Sequence, residues 1–186
     1  LREFGRSLAK LHSDGLEKQH CLLLLRNYAN GAVNHLQRAK LSRQPRAWRE
    51  YDDVVISLLA DLFGPGLTEV GRQVVFLPGK LGGLGFLSAE ARADCAWLSA
   101  WQRVRQSVRA GQGATDEAAA EQRTPVLTAI VAEAKGRVRA AGAVVLNDPR
   151  SAPHQRFYSK QLENKAHAAL KGHLPEPELQ VFNSQG

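Results

Sequence analysis

The chain has 186 residues, with 25 Lys and Arg against 18 Asp and Glu, two cysteines and no methionine. At 44% apolar and 23% charged it has the composition of a globular protein long enough to bury a core, which excludes wholesale disorder. No apolar run approaches the roughly 20 residues that a membrane span needs. No apolar stretch follows a basic start, so neither a membrane partner nor a signal peptide is expected. The absence of any methionine leads us to expect a piece of a longer chain, or a processed product.

Apolar residues recur at helical spacing almost throughout. A first helix is predicted over about residues 2–12, with Phe4, Leu8 and Leu11 on one face. Asp14 and Glu17 have capping-box spacing and are expected to open a second helix. Its stripe is Leu25, Tyr28, Ala32 and Leu36, with a break expected near Asn30-Gly31 because glycine weakens a helix interior. Pro45 suits the first turn of a third helix that runs through Trp48, Tyr51, Val55, Leu58 and Leu62 to Gly64-Pro65-Gly66. A short helix is expected over 68–76. Leu77-Pro78-Gly79-Lys80-Leu81-Gly82-Gly83-Leu84-Gly85-Phe86-Leu87 carries too many glycines for a helix and reads as a tight connector whose leucines and phenylalanine plug the core. Ser88 caps the next helix, predicted to bury Trp97, Trp101, Val104 and Val108. Residues 111–123 read as a linker. Thr124-Pro125 opens a helix with Leu127, Ile130, Ala134 and Val138 on one face up to Gly142, and a last helix is expected over 153–171.

Several constellations resemble chemical sites but do not meet their requirements. Tyr51-Asp52-Asp53 pairs two carboxylates, as two-metal polymerase centres do, but those need both acids on a hairpin. Neighbouring positions on a helix point about 100° apart. Gly66 and Gly71 have P-loop spacing, but Arg72-Gln73 stands where Lys-Ser/Thr is required. Cys21 and Cys95 are too far apart for a CxxC pair and read as core thiols, and the six histidines form no metal motif. No cofactor, metal or catalytic residue is therefore expected.

The net charge of +7 is uneven: residues 1–50 carry +6, residues 51–90 carry −3 and residues 91–186 carry +4. Seventeen of the cations are Arg, whose planar fork grips phosphate at two points. Arg38, Lys40, Arg43, Arg46 and Arg49 fall within twelve residues with no acid among them, and Arg103, Arg105 and Arg109 follow the glycine connector. These eight are the candidate phosphate contacts. The competing reading of the same residues is a solvated, solubilising face.

Residues from about 19 to 102 resemble the region just after the polymerase core of non-LTR retrotransposon reverse transcriptases. The likeness rests on three ordered segments. They are Leu22-Leu23-Leu24-Leu25-Arg26 leading to Asn34-His35-Leu36-Gln37-Arg38; Tyr51-Asp52 with Val55, Leu58, Leu59 and Phe63-Gly64; and Leu77-Pro78-Gly79 through Gly85-Phe86-Leu87-Ser88-Ala89. The resemblance implies thumb-like helices that lie along a template–primer duplex. It implies nucleic acid and the remaining domains of a parent polyprotein as partners, and an intracellular setting, nuclear or cytoplasmic. It also makes Tyr51-Asp52-Asp53 a helix position and not a catalytic centre.

The expected fold is all-α, an irregular bundle of about six to seven helices with a Gly-rich connector. The expected organisation is a thumb-like body over 1–110, a linker over 111–123, a helical appendage over 124–174 and a loose tail over 175–186. The expected function is non-catalytic support of a nucleic-acid duplex by a fragment of a reverse transcriptase. The alternative is a helical protein-interaction scaffold with no nucleic-acid role.

Overall fold

A computed structural model describes residues 1–39, 45–64, 66–112, 125–145 and 155–174, without the side chains of Pro45 and 108–112. Every regular element among them is helical, in the order α1 (Arg2–Ser13), α2 (Lys18–Ala39), α3 (Pro45–Phe63), α4 (Glu69–Val75), a 3-10 turn (Gly79–Leu81), α5 (Ala89–Gln112), α6 (Pro125–Ala140) and α7 (Gln155–His173). The all-α fold with a glycine-rich connector is therefore the fold of this chain. Most of the predicted linker, Val108 as a core residue and the tail over 175–186 lie outside the described residues or side chains.

The helix ends follow local chemistry. Gly15, at φ 107°, closes α1: Leu16 N–H donates to Leu11 O and Gly15 N–H to His12 O, at 2.9 and 3.0 Å. This is the double bond of a Schellman stop, which needs a left-handed residue. Asp14 is thus the C-cap of α1 and not the start of a capping box, and α2 begins at Lys18. Gly142, at φ 94°, ends α6 with the same pair of bonds, from Ala143 to Val138 and from Gly142 to Arg139. Thr68 caps α4 by accepting from Gly71 N–H at 3.1 Å.

Helix α2 runs unbroken through Asn30-Gly31. Its buried ridge is Cys21, Leu25, Ala29 and Val33, which shares Leu25 with the predicted stripe and then runs beside it, so Tyr28 and Leu36 stand 45% and 50% exposed. Strides of three and four both suit a helix, and the pattern alone cannot rank a Cys-Leu-Ala-Val row against the bulkier Leu-Tyr-Ala-Leu row. Only the former fits against the neighbouring helices. On α5 the buried residues are Ala89, Ala93, Cys95, Ala96, Leu98 and Ser99, while Trp97 and Trp101 are half-buried and stack parallel at 6.2 Å. Val104, expected in the core, is 55% exposed.

The chain divides into two compact units, Leu1–Leu36 with Arg43–Glu90 and Glu163–Gly186, and Gln37–Ser42 with Ala91–Leu162. The core of the first is Leu8, Cys21, Leu25, Ala29, Val55, Ile56, Leu59, Leu62, Val75 and Phe86. The core of the second gathers Cys95 and Leu98 of α5, Ala134 and Val138 of α6, Ala143, Val145, and Tyr158 of α7. Arg137 of α6 grips both oxygens of Asp94 on α5 at 2.7 and 2.8 Å and also reaches Glu133 at 2.6 Å. A bidentate, partly buried pair of this kind gives orientation as well as attraction.

In the first unit the connector folds back along the end of α4. Leu84 and Phe86 donate to Val74 O and Val75 O at 3.2 Å, and Gly85 to Leu77 O at 2.8 Å. Gly82 and Gly85 take φ 78° and 76°, and a Cβ on Gly83 would run into the Leu77 carbonyl. Gly79 has open space around it. Gly83→Ala is therefore expected to destabilise the chain by about 3 kcal/mol, the upper end of the over-packing range, because backbone must move. Gly79→Ala should leave stability nearly unchanged. Urea unfolding midpoints of the two variants check the contrast.

Candidate functional site

The three segments that carry the family resemblance lie in the first unit, apart from Gln37 and Arg38, which belong to the second. Asn30 of α2 donates through Nδ2 to Gly85 O at 3.0 Å and accepts from Leu87 N–H at Oδ1, 2.9 Å away. One side-chain amide thus satisfies two backbone groups of the connector, as a neighbouring strand would. Arg26, one turn earlier, adds a longer contact of 3.4 Å to Leu84 O. Neither Arg26 nor Asn30 was singled out as a connector clamp in the sequence. A polar residue four positions after an arginine on the same helix was the available signal, and it does not say what the amide reaches.

Helix α3 supplies the second clamp. Tyr51 donates to Ala29 O at 2.9 Å, and Asp52, only 8% exposed, accepts three bonds at the start of α5. These come from Ala89 N–H at 2.7 Å, Glu90 N–H at 3.2 Å and the Ser88 hydroxyl at 2.7 Å. The first N–H groups of a helix have no partner within it, and the helix dipole favours an anion there. A carboxylate from another helix fills that need here. Burial pushes the Asp52 carboxyl above its ordinary range, and the three hydrogen bonds pull it back only in part.

Asp53, next in sequence, points elsewhere and pairs with Arg72 at 2.6 Å. The two aspartates therefore do not converge, as helical geometry requires. Among the described residues no group of three or more His, Cys, Asp or Glu could hold a metal ion. Cys21 and Cys95 are both buried and free, and burial pushes the Cys95 thiol up to about 12.

The candidate phosphate contacts are placed differently from one another. In the first unit, Arg46 pairs with Glu50 on its own helix at 2.9 Å, with the two side chains 89% and 63% exposed. Arg49 reaches Glu90 through Nε at 3.1 Å and Nη2 at 2.6 Å, and this hydrogen bond is the main cause that raises its pKa. In the second unit, Arg38 clasps the Gln155 amide oxygen at 3.1 and 3.0 Å. Arg103 is exposed and turns back to Ser99 O at 3.4 Å, and Arg105 is half-buried. Lys40 and Arg43, and the side chain of Arg109, lie outside the described residues. The first unit also presents Arg2, Arg6 and Lys10, a basic stride of four on α1 that is too sparse to stand out as a cation run in the sequence.

Two predictions follow from the α3 clamps. Asp52→Ala should cost about 1–3 kcal/mol, because backbone donors at the α5 start are left without a partner. Asp52→Asn should recover part of that, since it keeps one acceptor and removes a buried charge. Asp53→Ala, which opens only an exposed pair, should cost less than about 1 kcal/mol in the same denaturation series. Burial, with Asp52 and Tyr28 nearby, pushes the Tyr51 hydroxyl up to about 12. Its unfolded value is about 10, so its contribution to stability is complete below about pH 10 and is lost as pH rises toward the folded value. In a tyrosinate absorbance titration, the difference between the wild type and Tyr51→Phe should fall near pH 12 and not near pH 10.

Comparison of the chain with protein-family models, with curated proteins and with solved structures finds no match.

Proposed function

We propose that this chain is a non-catalytic part of a retroelement reverse transcriptase, the thumb-like helices after its polymerase core. In this role basic helices support a template–primer duplex by contacting phosphates. The observation that carries the reading is convergence. Arg26 from the first family-like segment, Asp52 from the second and Leu84–Glu90 around the third are joined by direct hydrogen bonds. That the three family-like stretches share one set of contacts supports the reading. Asp52, the most buried acid among the described residues, serves as a helix cap, which fits a supporting role.

The exposed ion pairs are compatible with this role. Arg46 and Arg49 are held by carboxylates in contact with water, and pairs of this kind contribute little. A phosphate can take a carboxylate's place at small cost. The remaining domains of the parent polyprotein would be the chain's covalent partners, in the nucleus or cytoplasm, and the polymerase chemistry would belong to them.

A salt titration tests the proposal. If six or more cations contact phosphate, affinity for an RNA/DNA hybrid should fall about a thousandfold or more between about 50 and 200 mM salt. A flat profile in a filter-binding assay overturns it. The alternative, a helical protein-interaction scaffold, is favoured by Leu24, Tyr28 and Leu36, an exposed ridge of α2 beside its buried one. Absent duplex binding, together with dye binding to the native chain that Leu24→Asp and Leu36→Asp abolish, would favour that scaffold.

A further inference from the structure

We propose that Arg2, Arg6 and Lys10 form a phosphodiester-binding row on α1, taking successive contacts along one strand of a nucleic-acid duplex. The inference rests on the nucleic-acid reading above and assigns it a surface. The three cations lie four residues apart, so they rise about 6 Å per step and span about 12 Å of helix. Phosphates of one strand advance about 3.4 Å along the duplex axis, so the row covers a few consecutive phosphates. All three side chains are exposed.

The opposite side of α1 is committed to the core. Gly5 and Leu8 are buried, and Gly5 lies against Leu58 of α3 so closely that a Cβ there would strike it. Phe4 stacks on Tyr28 of α2 at 4.0 Å. The helix is thus held with its basic row outward. Its apolar face has no freedom to enter a bilayer, as an interfacial membrane helix requires, so a nucleic-acid strand fits better than a lipid surface.

Charge balance separates this row from the basic face of α3. There Arg46 and Arg49 are each matched by an acid, Glu50 and Glu90, just as Arg72 of α4 is matched by Asp53 of α3. Glu3 is the one acid of α1, and among the described residues no ion pair engages Arg2, Arg6 or Lys10. A phosphate that binds them displaces water and mobile ions alone. On α3 it must first displace a carboxylate, so the net gain per contact is smaller.

The test uses the full 186-residue chain, an RNA/DNA hybrid duplex and anisotropy titrations across a salt series. Arg2→Gln/Arg6→Gln/Lys10→Gln is compared with Lys18→Gln/Lys80→Gln/Lys160→Gln, which removes the same charge from scattered exposed positions. With about 0.9 counterions released per phosphate, the α1 variant should have a log–log salt slope shallower by about 2.7. The scattered variant should change the slope by less than about one contact's worth, about 0.9. Circular dichroism should show both folded as the wild type. Equal losses in the two variants, or wild-type binding by the α1 variant, overturn the row while leaving nucleic-acid support standing. A wild-type chain that ignores the duplex overturns both, as does one that binds only phosphatidylserine vesicles.

Discussion

The first unit is organised around a carboxylate that is almost out of reach of water. Asp52 accepts from Ala89, Glu90 and Ser88, and so fastens the middle of α3 to the start of α5. The interaction is demanding in both directions. Without Asp52, the opening N–H groups of α5 lack an acceptor at a site water barely enters. Without those donors, Asp52 is a buried charge with nothing to offset its desolvation. Each half makes the other tolerable, so the register of α3 against α5 has little freedom.

The neighbouring positions extend the same logic. Tyr51 precedes Asp52 and ties α3 to α2 at Ala29, and Asn30 follows Ala29 and ties α2 to the connector at Gly85 and Leu87. Two adjacent residues on each helix therefore hold three elements around one loop. The loop can lie this close only because Gly83 has no side chain and because Gly82 and Gly85 adopt left-handed conformations. This accounts for the density of glycine without any phosphate cradle: the loop N–H groups of Leu81, Gly82, Gly83, Leu84, Gly85 and Phe86 are satisfied by the chain's own carbonyls. What resembles a chemical motif in one dimension is a packing device in three.

Electrostatics are arranged by position more than by amount. Asp53 and Glu90, two of the acids of residues 51–90, pair with arginines of α3 and α4, so that part of the basic excess is matched locally. The cations of α1 have no such acids opposite them. A count of charges along the chain gives weight to clusters, whereas the potential at a surface depends on which charges are compensated. The Arg-rich run beginning at Arg38 is conspicuous in sequence, yet its described members already have partners. The sparser stride on α1 has none among the described residues.

Much of the fold was legible in the residues alone. Helix spacing, Gly142 as a stop and the connector over 77–87 depend on propensities and φ preferences, which belong to individual residues and their near neighbours. The rejection of Asp52-Asp53 as a metal pair was equally local, since adjacent helical positions diverge whatever surrounds them. Gly31 shows the limit: its cost to a helix is small, and packing on both sides of it carries α2 through. Tertiary structure alone decided which of two adjacent ridges of α2 is buried, because Ala29 and Val33 win their place by the shape of what faces them. It also decided that Asp52 caps a helix 37 residues away, that Asn30 clasps a loop, and which arginines already have a carboxylate. Those outcomes depend on distances between parts of the chain that no spacing records.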